Sequence, residues 1–378
     1  MRYNGERTSL GDIAVIRTGK LNSNAAVEGG KYPFFTCAPN PLRIDCYAYD
    51  QKAIILAGNN AEGNFHISYY EGKFNAYQRT YVIDAENESR VDLRYLYYAL
   101  KLCLADFKAL SQGTSTKFLT AKILNKFAIS LPDIDIQKRI AKVLTLIDDK
   151  INLNNKINDN LEQQTHAFFL HLFVENANPA WKCGSISDLG RVIGGSTPSK
   201  SKAEYYTSNG IAWITPKDLS VNKSKFISHG ENDITELGLK NSSASIMPKG
   251  TVLFSSRAPI GYIAIADGEV TTNQGFKSVV PDKSIGTPYV YFFLKHNLPS
   301  IENRASGSTF KEVSGAVMKA FEATIPDTTT LEVFNSFCQP IFEQQRQLEH
   351  ENQTLGTLRD AILPKLMSGE IDVSAIQL

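Results

Sequence analysis

The chain has 378 residues, too many for one ordinary core and about right for two domains of roughly 100 to 200 residues each. A composition of 42% hydrophobic, 10% aromatic and 21% charged residues is that of folded protein and excludes a disordered chain. A formal net charge of +1 excludes a uniformly basic coat, so a surface facing nucleic acid must be local.

Two stretches are basic enough to supply such a surface. Residues 101–126 carry five basic side chains against Asp106, and residues 191–225 carry six against Glu204 and Asp218. The plainer reading is solvated loop charge. Residues 1–10 are polar and charged, which is not the pattern of a signal peptide, and no window approaches the ~18 unbroken apolar residues of a membrane helix. The expectation is a cytoplasmic protein with no membrane partner. Cys37, Cys46, Cys103, Cys183 and Cys338 are odd in number, scattered and without a C-x-x-C pair, so they are expected to be reduced core thiols.

Taken along the chain, strand-like runs at 53–57 and 81–84 are punctuated by Gly, Pro, Asn and Ser. A helical pattern follows at 93–104. From Pro132 to Asn176 there is no Gly or Pro, and Ile140, Ile147, Asn154, Leu161 and Phe168 recur every seven residues, with Val143 and Ile157 between them. A helix of about 39 residues would be ~58 Å long at ~1.5 Å per residue, longer than a domain of this size. Strands return at 211–215 and 252–254, and a helix at 288–297. A second heptad run then carries Phe334, Phe337, Ile341, Leu348, Leu355, Leu358 and Ile362. Pro340 is expected either to kink this helix or to divide it.

The chain also repeats itself. Tyr95-Leu-Tyr-Tyr-Ala-Leu-Lys101 matches Tyr289-Val-Tyr-Phe-Phe-Leu-Lys295, an offset of 194 residues that also pairs Gly113 with Gly307, Lys117 with Lys311 and Leu131-Pro-Asp133 with Ile325-Pro-Asp327. Upstream the offset drifts, with Leu10-Gly11 facing Leu189-Gly190 and Ala53–Ala57 facing Thr251–Ser255. Each repeat is a variable globular part followed by a long helix. Strands before helices imply an α+β class: two globular domains in tandem, separated by long helices that pack as an antiparallel coiled coil with pseudo-two-fold symmetry. The boundaries read as a first domain at 1–132, a central helix at 133–176, a second domain at 177–326, and a closing helix and tail at 327–378. Asn154, in the seam, either fixes register or contacts another subunit.

The second repeat carries Gly194-Gly-Ser-Thr-Pro-Ser-Lys200, Tyr205-Tyr206, Trp213-Ile-Thr-Pro-Lys-Asp-Leu219, Ser255-Ser-Arg257, Gly261, Thr272-Asn-Gln-Gly-Phe-Lys277, Gly307-Ser-Thr-Phe-Lys311 and the closing Leu358-Arg-Asp-Ala-Ile-Leu-Pro-Lys-Leu-Met-Ser-Gly-Glu370. In their order, and with the duplication, these motifs resemble the specificity subunits of Type I restriction-modification enzymes. The first repeat is similar in Tyr32-Pro-Phe-Phe-Thr36 and Tyr70-Glu-Gly-Lys-Phe74 but lacks the Trp-Ile-Thr-Pro-Lys-Asp and Thr-Asn-Gln-Gly patterns. The resemblance covers nearly the whole chain. It implies that each domain is a target-recognition domain reading half of a bipartite site on double-stranded DNA, and that the helices set the spacer and dock two methyltransferase subunits. A motor-nuclease subunit would join the full complex. The chain itself would hold no cofactor; S-adenosylmethionine, ATP and magnesium would sit on those partners.

The residues fit a chain without catalysis. The Gly-rich turn and the Asn/Asp-Pro-Pro-aromatic site of an adenine methyltransferase are missing, Asn40-Pro41-Leu42 being a turn signal. Gly194-Gly195 with Lys200 lacks phosphate-loop spacing, and six histidines form no H-x-x-x-H pair. Asp133 and Asp327 read as helix starts. Gly307-Ser-Thr-Phe-Lys-Glu312 reads as a capping box, in which Thr309 and Glu312 would open a helix.

Base readout calls for planar polar side chains on loops. The candidates for it are Asn59, Asn60, Gln78 and Arg79 in the first domain and Arg257, Asn273, Gln274 and Lys277 in the second; Lys117 and Lys311 would add charge at phosphates, and Lys200 and Lys217 complete the DNA-binding set. Trp213 and Phe34 are expected in cores. A scaffold that uses the helices for assembly alone, without sequence-specific DNA binding, is the alternative.

Overall fold

The structure, a computed structural model, describes residues 5–113, 116–257, 259–307 and 311–376. Its elements group into two compact units, Met1–Asn152 with Gln353–Leu378, and Leu153–Asn352. The long helices, Ile134–Leu170 and Thr328–Met367, are therefore each divided between the units rather than standing apart from them. Among the described residues no helix is long and apolar enough to cross a membrane.

The first unit is built on a six-stranded sheet in the order Ala14–Thr18, Thr80–Ala85, Tyr49–Ala57, Ile67–Ala76, Tyr32–Phe35, Leu42–Ile44. The run Ala53-Ile-Ile-Leu-Ala57 is buried throughout, as a central strand covered on both faces must be. Helix Leu93–Leu102 starts where the Asp92 carboxylate accepts the N–H of Tyr95, and it buries Tyr95, Leu96, Tyr98, Ala99 and Leu100. The same core takes Ile140, Ala141 and Leu144 from the first long helix and Leu363, Leu366 and Val373 from the end of the chain. Arg139 ties that end down by donating to the carbonyl of Val373 at 3.2 Å.

The second unit repeats the plan with a five-stranded sheet, Gly190–Gly194, Lys277–Pro281, Val252–Phe254, Ile263–Ala266, Phe226–Ile227, and a separate four-stranded sheet carrying Trp213, whose strand pairs in parallel with Thr271–Thr272 as Tyr32–Phe35 does with the end of Ile67–Ala76. The offset of 194 residues holds element by element. It relates Leu93–Leu102 to Thr287–His296, Ala121–Lys126 to Gly315–Ala320, Ala128–Leu131 to Glu322–Ile325, and the starts of the two long helices. One hydrogen bond is copied as well: the Tyr95 hydroxyl donates to Ser130 O at 2.8 Å, and the Tyr289 hydroxyl donates to Thr324 O at 2.8 Å. Asp133 and Asp327 stand at the helix starts, where the N–H of Gln137 reaches Asp133 O at 3.0 Å and that of Thr330 reaches the Asp327 carboxylate at 3.0 Å.

Within each unit the two helix segments run antiparallel. In the first, Arg359 donates to the Asp148 carboxylate at 2.8 Å. In the second, Asn154 donates to Glu351 and Asn352 at 2.8 and 2.9 Å, and Phe168 meets Phe334. Asn154 is fully buried, the environment of a register-fixing polar residue rather than of an exposed contact. Ile140 and Phe334 are buried too, while Ile147, Leu161, Phe168, Ile341, Leu348, Leu355 and Ile362 are half-buried. In the second helix the deepest stripe is Leu331, Phe334, Cys338, Phe342 and Gln345, and the heptad positions Phe337 and Leu358 are exposed. The stripe is displaced because this helix packs on the globular core as well as on its partner, which widens the buried face. The helix also runs on through Pro340 as one element. Of the two outcomes expected at Pro340, the division is therefore absent.

Lys225 anchors the second unit's globular part to its helices. Its ammonium is buried 3.4 Å from the Phe342 ring centroid and 4.6 Å from that of Tyr291, and it donates to Glu162 at 2.8 Å and Gln345 at 2.9 Å. The Glu349 carboxylate accepts the backbone N–H groups of Lys225 and Phe226. Burial pushes the Glu162 carboxyl up, but the charges of Lys225 and Lys295 outweigh it and hold the group down at about 2. Burial likewise lowers Lys225, to about 8, so the pair is ionised at neutral pH.

A depressed carboxyl contributes stability above its unfolded value of 4.5 and loses it as the pH falls toward 2. Glu162→Gln should therefore flatten the loss of stability across that acid window and cost roughly 3–5 kcal/mol at neutral pH, because Lys225 is left buried without its partner; urea titrations at stepped pH measure both. Tyr95→Phe and Tyr289→Phe should each cost about 1 kcal/mol, equal within error, by the same titrations at neutral pH.

Candidate nucleic-acid interface

In the first unit, five of the sequence candidates meet at one place. The short strand Asn59–Asn60 pairs antiparallel with Lys117–Phe118, placing Asn59 opposite Phe118 and Asn60 opposite Lys117. Gly58 N–H donates to Arg79 O at 2.8 Å, and Leu119 N–H donates to Gly58 O at 2.9 Å, so the segments around 58, 79 and 118 are laced together by backbone. Gln78 and Arg79 are exposed; Asn59, Asn60 and Lys117 are half-buried. The Arg79 guanidinium lies 5.5 Å from the centroid of the Phe118 ring. Part of the asparagine content is structural, since Asn60 Oδ1 accepts the N–H groups of Glu62 and Asn64 and shapes the turn. Lys108, which donates to Asn64 at 2.8 Å, adds a cation that sequence reading did not single out.

The second unit builds the same scaffold from other residues. Ser256 N–H donates to Gly275 O at 2.7 Å, and Val313 N–H donates to Ser256 O at 2.9 Å, reproducing the bonds around Gly58. Arg257 pairs with Glu312 as Asn59 pairs with Phe118, and Ser306 bridges Glu312 as Gln112 bridges Phe118. Gly113 and Gly307 both adopt positive φ, 104° and 124°, a conformation that other residues resist.

Onto this scaffold the second unit places charge. Arg257 Nε–H donates to Glu312 at 2.9 Å, and Lys277 Nζ lies 3.3 Å from the other carboxylate oxygen. Partial burial raises the Glu312 carboxyl, but the two cations prevail and hold it below its ordinary value. Beside this cluster lies a cleft of about 440 Å³ lined by Lys200, Trp213, Lys217, Asn232, Asn273 and Gln274. Asn273 Oδ1 accepts Gly275 N–H and holds the turn, while the Gln274 side chain bonds Thr197. Lys217 is paired with Glu231 at 2.6 Å; Lys200 and Lys311 are exposed. Gly195 must be glycine, because a Cβ there would stand 2.0 Å from Asn273 O and 2.4 Å from Thr272 O. Trp213 is buried and donates to Ser196 O at 3.0 Å, so it walls the cleft from the core side; Phe34 is wholly buried.

Two expectations change. Glu312 does not open a helix: it lies in the bridge to Arg257, and the helix begins at Gly315 with Ser314 accepting the N–H of Val317. Backbone pairing with Ser306 claims the Glu312 amide and carbonyl, and Val313 N–H goes to Ser256 O, before a helix can form; Thr309 lies outside the described residues. Of the cysteines only Cys338 is buried, and Cys46 and Cys183 are exposed, so the thiols are free without being core residues as a class. Among the described residues no group of three or more His, Cys, Asp or Glu side chains is placed to hold a metal.

Comparison with known proteins agrees with this architecture. The chain is 40% identical over 178 residues to the Type I restriction enzyme MjaIX specificity subunit of Methanocaldococcus jannaschii, an alignment covering 45% of this chain and 41% of that protein. It is 24% identical over 344 residues to the HindI specificity subunit of Haemophilus influenzae, covering 70% and 74%. The chain thus spans about two-fifths of the first relative and three-quarters of the second. The crystal structure of the Type-I restriction-modification system S subunit from M. genitalium shares the fold, with a TM-score of 0.60, 19% identity and 96% of each chain covered. The family model for the Type I restriction modification DNA specificity domain matches twice, at residues 5–163 and 178–353, and the chain belongs to that family.

Proposed function

We propose that this chain is the DNA-specificity subunit of a Type I restriction-modification complex. It binds double-stranded DNA without cutting or methylating it, each unit reading one half of a bipartite site. The observation that carries this reading is the repeated scaffold, which gathers planar and cationic side chains from distant segments in each unit, Asn59, Arg79 and Lys117 from three segments in one and Arg257 with Gln274 and Lys277 from two in the other. Such groups suit base edges and phosphates, and their confinement to two places agrees with a net charge of +1. The long helices fix the spacer and dock two methyltransferase subunits, and a motor-nuclease subunit completes the assembly. S-adenosylmethionine, ATP and magnesium belong to those partners, and the complex works in the cytoplasm.

Competition binding tests the function. Duplex carrying the target should outcompete unrelated duplex by roughly 10³-fold or more, whereas an assembly scaffold would show equal competition. Neutralising Lys117 or Lys200 should lower affinity for all sequences alike and reduce the slope of log K against log salt by about 1. The ruler role is tested by adding one heptad to each long helix, at the level of Asn154 and Asn352, which keeps the seam in phase. Each helix then lengthens by about 10 Å. The spacer between half-sites should grow by about three base pairs, and an unchanged spacer would assign the distance to other contacts.

A further inference from the structure

We propose that Phe118 and Glu312 are arginine-positioning residues: at the same point of the repeated scaffold, each holds one arginine, Arg79 or Arg257, to read a guanine in the half-site of its own unit. This rests on the DNA-reading function proposed above.

The two positions are equivalent by backbone. Phe118 pairs with Asn59 and Gln112, Glu312 pairs with Arg257 and Ser306, and the hydrogen bonds from Leu119 and Val313 close the same loop in each unit. Their side chains are chemically unrelated, a ring and a carboxylate, yet each has an arginine against it. Glu312 accepts the Arg257 Nε–H at 2.9 Å and is itself held by Lys277 at 3.3 Å. With Nε engaged, the two terminal amino groups of Arg257 remain as a planar pair of donors, the spacing that matches guanine O6 and N7. Phe118 reaches the same end differently: the Arg79 guanidinium lies 5.5 Å from its ring centroid, a contact that orients the guanidinium while consuming none of its donors.

Folding alone does not account for either contact. The Arg257 side chain is 47% exposed, and an ion pair in water adds little stability. Phe118 stays 36% exposed, so burial explains part of the ring's placement but not a guanidinium laid against it. Holding the plane of an exposed guanidinium matters where a planar edge must be matched; a phosphate needs only the charge.

The test selects duplexes with a randomised central segment on the full chain and sequences the bound pool. Wild type should give a two-part motif with a G·C pair in each half that depends on these residues. Arg257→Lys and Glu312→Ala should relax discrimination at one G·C position of one half by about tenfold or more, leaving the other positions intact. Arg79→Lys and Phe118→Ala should do the same in the other half. The conservative variants Glu312→Gln, whose amide oxygen still accepts from Nε, and Phe118→Tyr should keep the wild-type motif. A wild-type chain that selects no motif sinks the DNA-reading function itself. A wild-type motif that survives the Lys and Ala variants, or a uniform loss of affinity across all sequences, overturns the positioning role alone. Arg→Lys changes only an exposed tip, so those two variants remain decisive if either Ala variant melts early.

Discussion

An amphipathic helix of 37 or 40 residues has an apolar face longer than the core of either globular unit, and no single unit covers it. The chain meets this constraint by division. Each unit takes part of each long helix, so the first core contains Ile140 and Leu144 together with Leu363 and Leu366, and the second contains Phe169 together with Phe334 and Phe342. Antiparallel pairing follows, because only that direction brings the start of one helix and the end of the other into the same unit. The buried polar contacts then set the register. Asn154 meets Glu351 and Asn352, and Lys225 finds Glu162 and Gln345 at one level of the seam.

The proposed recognition surface is separated from this framework in a useful way. The bonds around Gly58 and Ser256 are backbone to backbone, so they hold the loop together while placing almost no demand on side-chain identity. One scaffold therefore carries Asn59, Arg79 and Phe118 in the first unit and Arg257, Lys277 and Glu312 in the second. The cleft beside Trp213 lies on the second unit's four-stranded sheet, in which Ile211–Ile214 pairs in parallel with Thr271–Thr272 as Tyr32–Phe35 pairs with the end of Ile67–Ala76 in the first unit.

Much of the framework was legible in the residues. Periodicity exposed the long helices, and a constant offset exposed the duplication, because core helices and the strands that pair with them tolerate few insertions. The offset drifts upstream, where the loops and extra strands lie, and there the two sheets differ in extent. Less legible was anything set by tertiary pairing. Glu312 sits three residues after a threonine, a local capping signal, yet its backbone pairs with Arg257 across 55 positions. The heptad placed Phe337 and Leu358 inside, whereas packing against a globular core chose the neighbouring stripe. Phe118 escapes notice and Glu312 reads only as a cap, because neither is a base-reading residue type, although the offset that pairs Lys117 with Lys311 pairs them also.

The burial of Leu363, Leu366 and Val373 in the first unit bears on how the chain is made. A ribosome delivers Ile140 and Leu144 more than two hundred residues before the partners that cover them. Residues such as Tyr95, Leu96 and Leu131 share that core from the start, but Leu363, Leu366 and Val373 complete it only through a contact of high sequence separation, the kind that slows folding.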